Sequence, residues 1–102
     1  MQLKPGSRWR SAVCTAEVVV VRPPKVEVAL ECGGHPMAAA GADKPEGLTI
    51  QPGFSSGVSM GKRYFDEETG IEVLAAKAGQ GAVSVNGRLL TLREAKALPA
   101  SD

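Results

Sequence analysis

The stretch Trp9-Arg10-Ser11-Ala12-Val13-Cys14-Thr15-Ala16-Glu17-Val18-Val19-Val20-Val21, continued after Pro23-Pro24 by Leu30-Glu31-Cys32-Gly33-Gly34-His35-Pro36-Met37, decides the fold class. Four successive valines favour an extended chain, because a β-branched side chain packs well on a pleated surface and loses freedom in a helix. Arg8 to Cys14 has the same leaning. Pro23-Pro24 cannot continue a central strand and forces a turn. Beyond the turn Val26, Val28 and Leu30 alternate with Glu27 and Glu31, the period of two of a strand with one face on a core. The valine run does not alternate, which predicts a strand covered on both faces. Gly33-Gly34-His35-Pro36 closes this first unit.

Working outward, Lys62 to Phe65 and Ile71 to Lys77 flank Asp66-Glu67-Glu68-Thr69-Gly70, whose acidic residues and final glycine supply turn chemistry. The three carboxylates read as a solvated turn tip. Val83 and Val85 lead into Asn86-Gly87, the strongest short hairpin signal because both positions tolerate positive φ. The expected fold is therefore all-β, a small single domain of antiparallel hairpins. Its parts are a first ribbon unit at 8–37, a linker and long loop at 38–61, a second unit at 62–92, and a C-terminal strap at 93–102. The alanines after Met37 have room for one short helical turn at most, given Gly41 and Pro45.

With 102 residues there is length for one modest core, and 43% apolar against 23% charged residues is a globular balance. Aromatic residues are only 4%, namely Trp9, Phe54, Tyr64 and Phe65, so aliphatic side chains must fill that core. A net charge of +1 excludes a general pull toward polyanions or anionic membranes. Lys4, Arg8, Arg10, Arg22 and Lys25 against Glu17 form a basic-leaning stretch that reads as a solvated face of strands. A nucleic-acid binder on a small β-barrel would have only Lys4, Arg8, Arg10, Lys62, Arg63 and Arg88 to work with, and nucleic acid is not expected as a partner. Residues 1–7 lack the apolar run of a signal peptide, and no stretch approaches the ~20 residues of a membrane helix. These features predict a cytoplasmic protein away from membranes, in which two cysteines are reduced thiols or metal ligands rather than a disulfide framework.

The Trp9 strand, Cys14, the valine strand and the return to Cys32-Gly33-Gly34-His35-Pro36-Met37 resemble desulforedoxin, a rubredoxin-like ribbon. In that family an aromatic-led strand carries a CxxC knuckle, and a second Cys-Cys-Gly-x-x-Met knuckle completes four thiolates around one iron in a small domain that pairs as a dimer. The resemblance puts Cys14 on the second cysteine of the first knuckle and Cys32 on the first of the second, with Gly34 and Met37 also matching. Ser11 and Gly33 stand at the other two ligand positions, so the resemblance is to a degenerate ribbon. A tight tetrahedral site needs four soft donors, and glycine offers none. Three readings of the cysteines stay open. They are packed thiols; or they bind zinc or iron with His35 as a third ligand and water as a fourth; or they face each other as a redox pair able to form a disulfide.

Val28 to Met37 can be laid over Gly81 to Leu90 without a gap, which aligns the alternation and the second glycine. Upstream, Ala12-Val13-Cys14-Thr15 can be laid over Val73-Leu74-Ala75-Ala76, which puts Ala75 and Val85 in the cysteine positions. Two rubredoxin-like ribbons packed in pseudo-two-fold fashion would replace metal coordination with a shared apolar core.

Enzyme motifs are thin, with one histidine and no glycine-rich loop opening a helix; Gly79-Gln80-Gly81 reads as a turn between strands. No catalysis is expected. The leading expectation is a cofactor-free binding or accessory module that docks on a larger protein or on further copies of itself, with Trp9, Phe54 and Tyr64 as contact residues. The alternative is a zinc or iron protein, or a redox protein, using Cys14, Cys32 and His35.

Overall fold

The computed structural model describes residues 3–43 and 47–93, so the expected strap lies, apart from Arg93, outside the described residues. Among these residues the chain forms ten strands and no helix: β1 Arg8–Arg10, β2 Glu17–Arg22, β3 Leu30–Cys32, β4 His35–Pro36, β5 Ala38–Ala39, β6 Arg63–Phe65, β7 Glu72–Lys77, β8 Val83–Val85, β9 Arg88–Leu89 and β10 Thr91–Arg93. One sheet has the order β10-β6-β7-β2-β1-β5 and the other β4-β3-β8-β9, and every pairing is antiparallel. The all-β expectation therefore holds. No helix of the described residues is long and apolar enough to cross a membrane.

Both strand orders read the same from either end once β1 to β5 are matched with β6 to β10. The registers agree with this two-fold relation. In β2 and β7, Val19 faces Leu74, with Val18 opposite Ala75 and Val20 opposite Val73 on either side. In β3 and β8, Glu31 faces Ser84, flanked by Leu30 opposite Val85 and Cys32 opposite Val83. Residues 8–22 thus correspond to 63–77, and residues 30–39 to 83–92. The Arg8–Glu17 ion pair at 3.0 Å has its counterpart in Arg63–Glu72 at 3.3 Å. The overlay of Val28 to Met37 on Gly81 to Leu90 matches this spacing. The upstream overlay does not, because the strands set Ser11 against Asp66 and Cys14 against Thr69 rather than Ala75.

The core between the sheets is aliphatic: Val18, Val20, Leu30, Ile71, Val73, Val83 and Val85 are almost fully buried. Two local expectations are corrected. Val21 is exposed, because a register shift between Val20 and Arg22 leaves it unpaired. Val26 is also exposed while Val28 and Leu30 are buried, since the strand begins only at Leu30. In the expected linker, Ala38 and Ala39 pair with Arg10 and Trp9 as an edge strand rather than forming a helical turn. Asn86 and Gly87 take φ of 50° and 82° between β8 and β9, the conformation their pairing in sequence predicts.

Candidate functional site

Two knuckles meet where the loop joining β1 to β2 approaches the end of β3. In the first, Ser11 is fully buried, and its Oγ accepts hydrogen bonds from the amides of Val13 and Cys14, both at 3.1 Å. This folds the chain back so that Cys14 Sγ lies 3.2 Å from Ser11 Oγ. In the second, Cys32 ends β3 and Gly33-Gly34 turn the chain with φ of 67° and 86°, values that a residue with a Cβ adopts only at a cost. Cys14 Sγ and Cys32 Sγ come to 3.9 Å from each other, both as free thiols.

A third segment covers the pair. Gly81 donates its N–H to Cys14 Sγ at 3.4 Å, and its carbonyl accepts from the Cys32 thiol at 3.4 Å. A Cβ on Gly79 would lie 2.8 Å from Cys14 Sγ, and one on Gly81 would lie 3.1 Å from Cys32 Sγ. The turn Gly79-Gln80-Gly81 is therefore glycine-rich because bare backbone is all that fits over the sulfurs. Its glycines are visible in the sequence, but the contacts of Gly81 with Cys32 and Cys14, 49 and 67 positions away, are not.

The environments of the two thiols differ. Partial burial pushes Cys14 up, but its hydrogen bonds with the Ser11 side chain, the Ala16 and Gly81 backbone and the Cys32 thiol outweigh it and hold the group below the usual thiol value. Burial pushes Cys32 up to about 12; the Ser11 hydroxyl opposes this, and charge on Cys14 adds to it. The two thiols are thus shifted in opposite directions, Cys14 down and Cys32 up.

The four-thiolate metal of the resembling family does not fit these residues. The sulfur spacing is near the edge of a zinc–thiolate tetrahedron, about 3.8 Å for Zn–S bonds of about 2.3 Å. The other corners fail. Both acceptor sites of the Ser11 oxygen are used by amides, and a Cβ on Gly33 would lie 2.5 Å from Val13 Cγ2. His35 sits opposite Cys32 in the β3–β4 ladder, and its Nε2 lies 2.8 Å from the Thr49 carbonyl oxygen. Among the described residues no group of three or more His, Cys, Asp or Glu side chains is assembled for a metal.

The corresponding place in the second half holds an ion pair. Asp66 stands where Ser11 does, Thr69 for Cys14, Val85 for Cys32 and Arg88 for His35. Asp66 Oδ2 accepts from the Thr69 amide and hydroxyl, and Arg88 grips both carboxylate oxygens at 2.9 and 2.8 Å. Asp66 is buried rather than solvated on a turn tip, which corrects the sequence expectation for that residue.

The aromatic residues expected to meet a partner are largely engaged within the fold. Tyr64 is a core residue, and its hydroxyl accepts from the Ser59 amide at 2.9 Å. Trp9 packs against the core and donates from Nε1 to Ser7 Oγ at 3.1 Å. Phe54 is half-buried, and its carbonyl accepts from the Ala82 amide. None of the three is brought to the thiol pair by a contact found in the structure. No family model matches this chain, and neither a curated protein nor a solved structure matches it.

Proposed function

We propose that this chain is a small redox module in which Cys14 and Cys32 interconvert between two thiols and one disulfide. The observation that carries this reading is the 3.9 Å between the sulfurs, set by two knuckles and a covering backbone rather than by flexible loops alone. A disulfide needs its sulfurs about 2.05 Å apart, so closure asks for a movement of only about 2 Å. In the cytoplasmic setting expected from the sequence, the resting state is the dithiol and oxidation is an event.

A docking role on a larger protein, or self-association, is the second reading. It is supported by the apolar side chains that stay in water, Val26 at 59% and Met60 at 69% exposure among them. The mass of the purified chain in solution tests its self-association form.

Treatment with diamide, followed by alkylation and counting of free thiols, tests the redox reading. Both thiols should disappear together in a species that stays monomeric and returns on reduction, and Cys14→Ser or Cys32→Ser should abolish the change. Thiols that remain free, or that vanish only into disulfides between molecules, would overturn it.

A further inference from the structure

We infer that Cys14 is the attacking thiol of the pair and that its substrate is a disulfide of another molecule, exchanged through a mixed disulfide that Cys32 resolves; this rests on the redox reading above.

Access separates the two sulfurs first. Cys32 is fully buried, whereas Cys14 is half-buried, so of the two residues Cys14 is the one with surface in contact with solvent. Hydrogen bonding separates them again. Ser11 Oγ, which accepts from the Val13 and Cys14 amides, is also a hydrogen-bond partner of Cys14 Sγ at 3.2 Å. Gly81 distinguishes the two sulfurs, since its N–H faces Cys14 and its carbonyl faces Cys32. A donor beside one sulfur favours thiolate there, and an acceptor beside the other retains its proton. The thiolate is the nucleophile in exchange. Gly79, whose backbone lies against Cys14, is also on the wall of an open groove of about 420 Å³ with Ile50, Val58 and Gln80.

The exchange balances without a further reactant. Cys14 thiolate attacks one sulfur of R–S–S–R′, forming Cys14–S–S–R and releasing R′S⁻, which takes up a proton. Cys32 then attacks Cys14 Sγ, and its thiol proton passes to the departing RS⁻ as the intramolecular disulfide closes. Two electrons pass from the protein dithiol to the substrate, which leaves as two thiols.

The test uses the full chain with Cys32→Ala or Cys14→Ala, each checked for folding by circular dichroism. One arm offers oxidised glutathione and the other a disulfide-bonded protein, insulin. Adducts are located by peptide mapping. Cys32→Ala should accumulate a mixed disulfide at Cys14, and Cys14→Ala should react about tenfold or more slowly. The arm that reacts faster distinguishes a small-molecule substrate from a protein one, and a positive result in either supports the inference. Should a variant fail to fold, iodoacetamide at limiting concentration on the wild-type dithiol replaces it, with Cys14 expected to be alkylated first. Equal rates at the two cysteines, or preferred reaction at Cys32, would overturn the inference. So would the absence of adduct in both arms while diamide still closes the wild-type disulfide, an outcome that leaves the redox reading standing.

Discussion

At the scale of single residues, the thiol site depends on side chains chosen for what they leave out. Ser11 gives a knuckle its hydrogen bonds without a third sulfur, and Gly79 gives the covering turn its close approach. Gly79→Ala would bring a methyl group to 2.5 Å from the Ala16 nitrogen as well as to 2.8 Å from Cys14 Sγ. It should cost about 1–3 kcal/mol by overpacking, read from urea midpoints, and should slow diamide-driven loss of thiols. In the second half, the hydrogen bonds from Arg88 hold the Asp66 carboxyl down to about 2; burial opposes them and Thr69 assists. Because the folded value lies below the ordinary carboxylate value of about 3.9, this stability is present above about pH 4 and is lost as pH falls toward about 2. Asp66→Asn should therefore destabilise the chain by about 1–2 kcal/mol at neutral pH, a figure discounted because Arg88 is largely in water. Urea midpoints of variant and wild type should converge by about pH 2. The cysteines and the glycine turn were legible in the sequence, but burial of Asp66 was not, because its partner Arg88 sits on another hairpin.

At the scale of elements, the turns and strands followed local rules, whereas their arrangement followed pairing between distant segments. Asn86-Gly87 and Gly33-Gly34 were readable because positive φ leaves a mark on residue type. The upstream half of the repeat was misaligned because valine and alanine runs fit several registers. The ion pairs of Arg8 with Glu17 and Arg63 with Glu72 identify the right one. Val18 and Val73 are equivalent under this relation, and both are fully buried at the central β2–β7 pairing. Val18→Ala and Val73→Ala should each lower stability by about 2 kcal/mol. Urea unfolding of the two variants should give similar losses; a large loss in one and none in the other would show that the halves do not share the core evenly.

At the scale of the whole molecule, the two halves cannot be separated, since β2 pairs with β7 and β3 with β8 in the middle of each sheet. Thermal unfolding of the reduced chain should show one transition, the same by circular dichroism and by Trp9 fluorescence. Closing Cys14 to Cys32 should raise the stability of that single unit by up to about 3 kcal/mol, as expected for a short loop, and reduction should reverse the gain. The all-β class was legible from valine content and turn residues, while the shared core was legible only as a repeat, because it is made of contacts between halves. The claim on which the functional account turns is that Cys14 and Cys32 act as one reversible pair. The ¹³Cβ chemical shifts of the two cysteines, recorded by NMR on the reduced and the diamide-treated chain, test it most directly. Both should move together from the thiol to the disulfide range and return on reduction, whereas movement of one alone, or of neither, would contradict it.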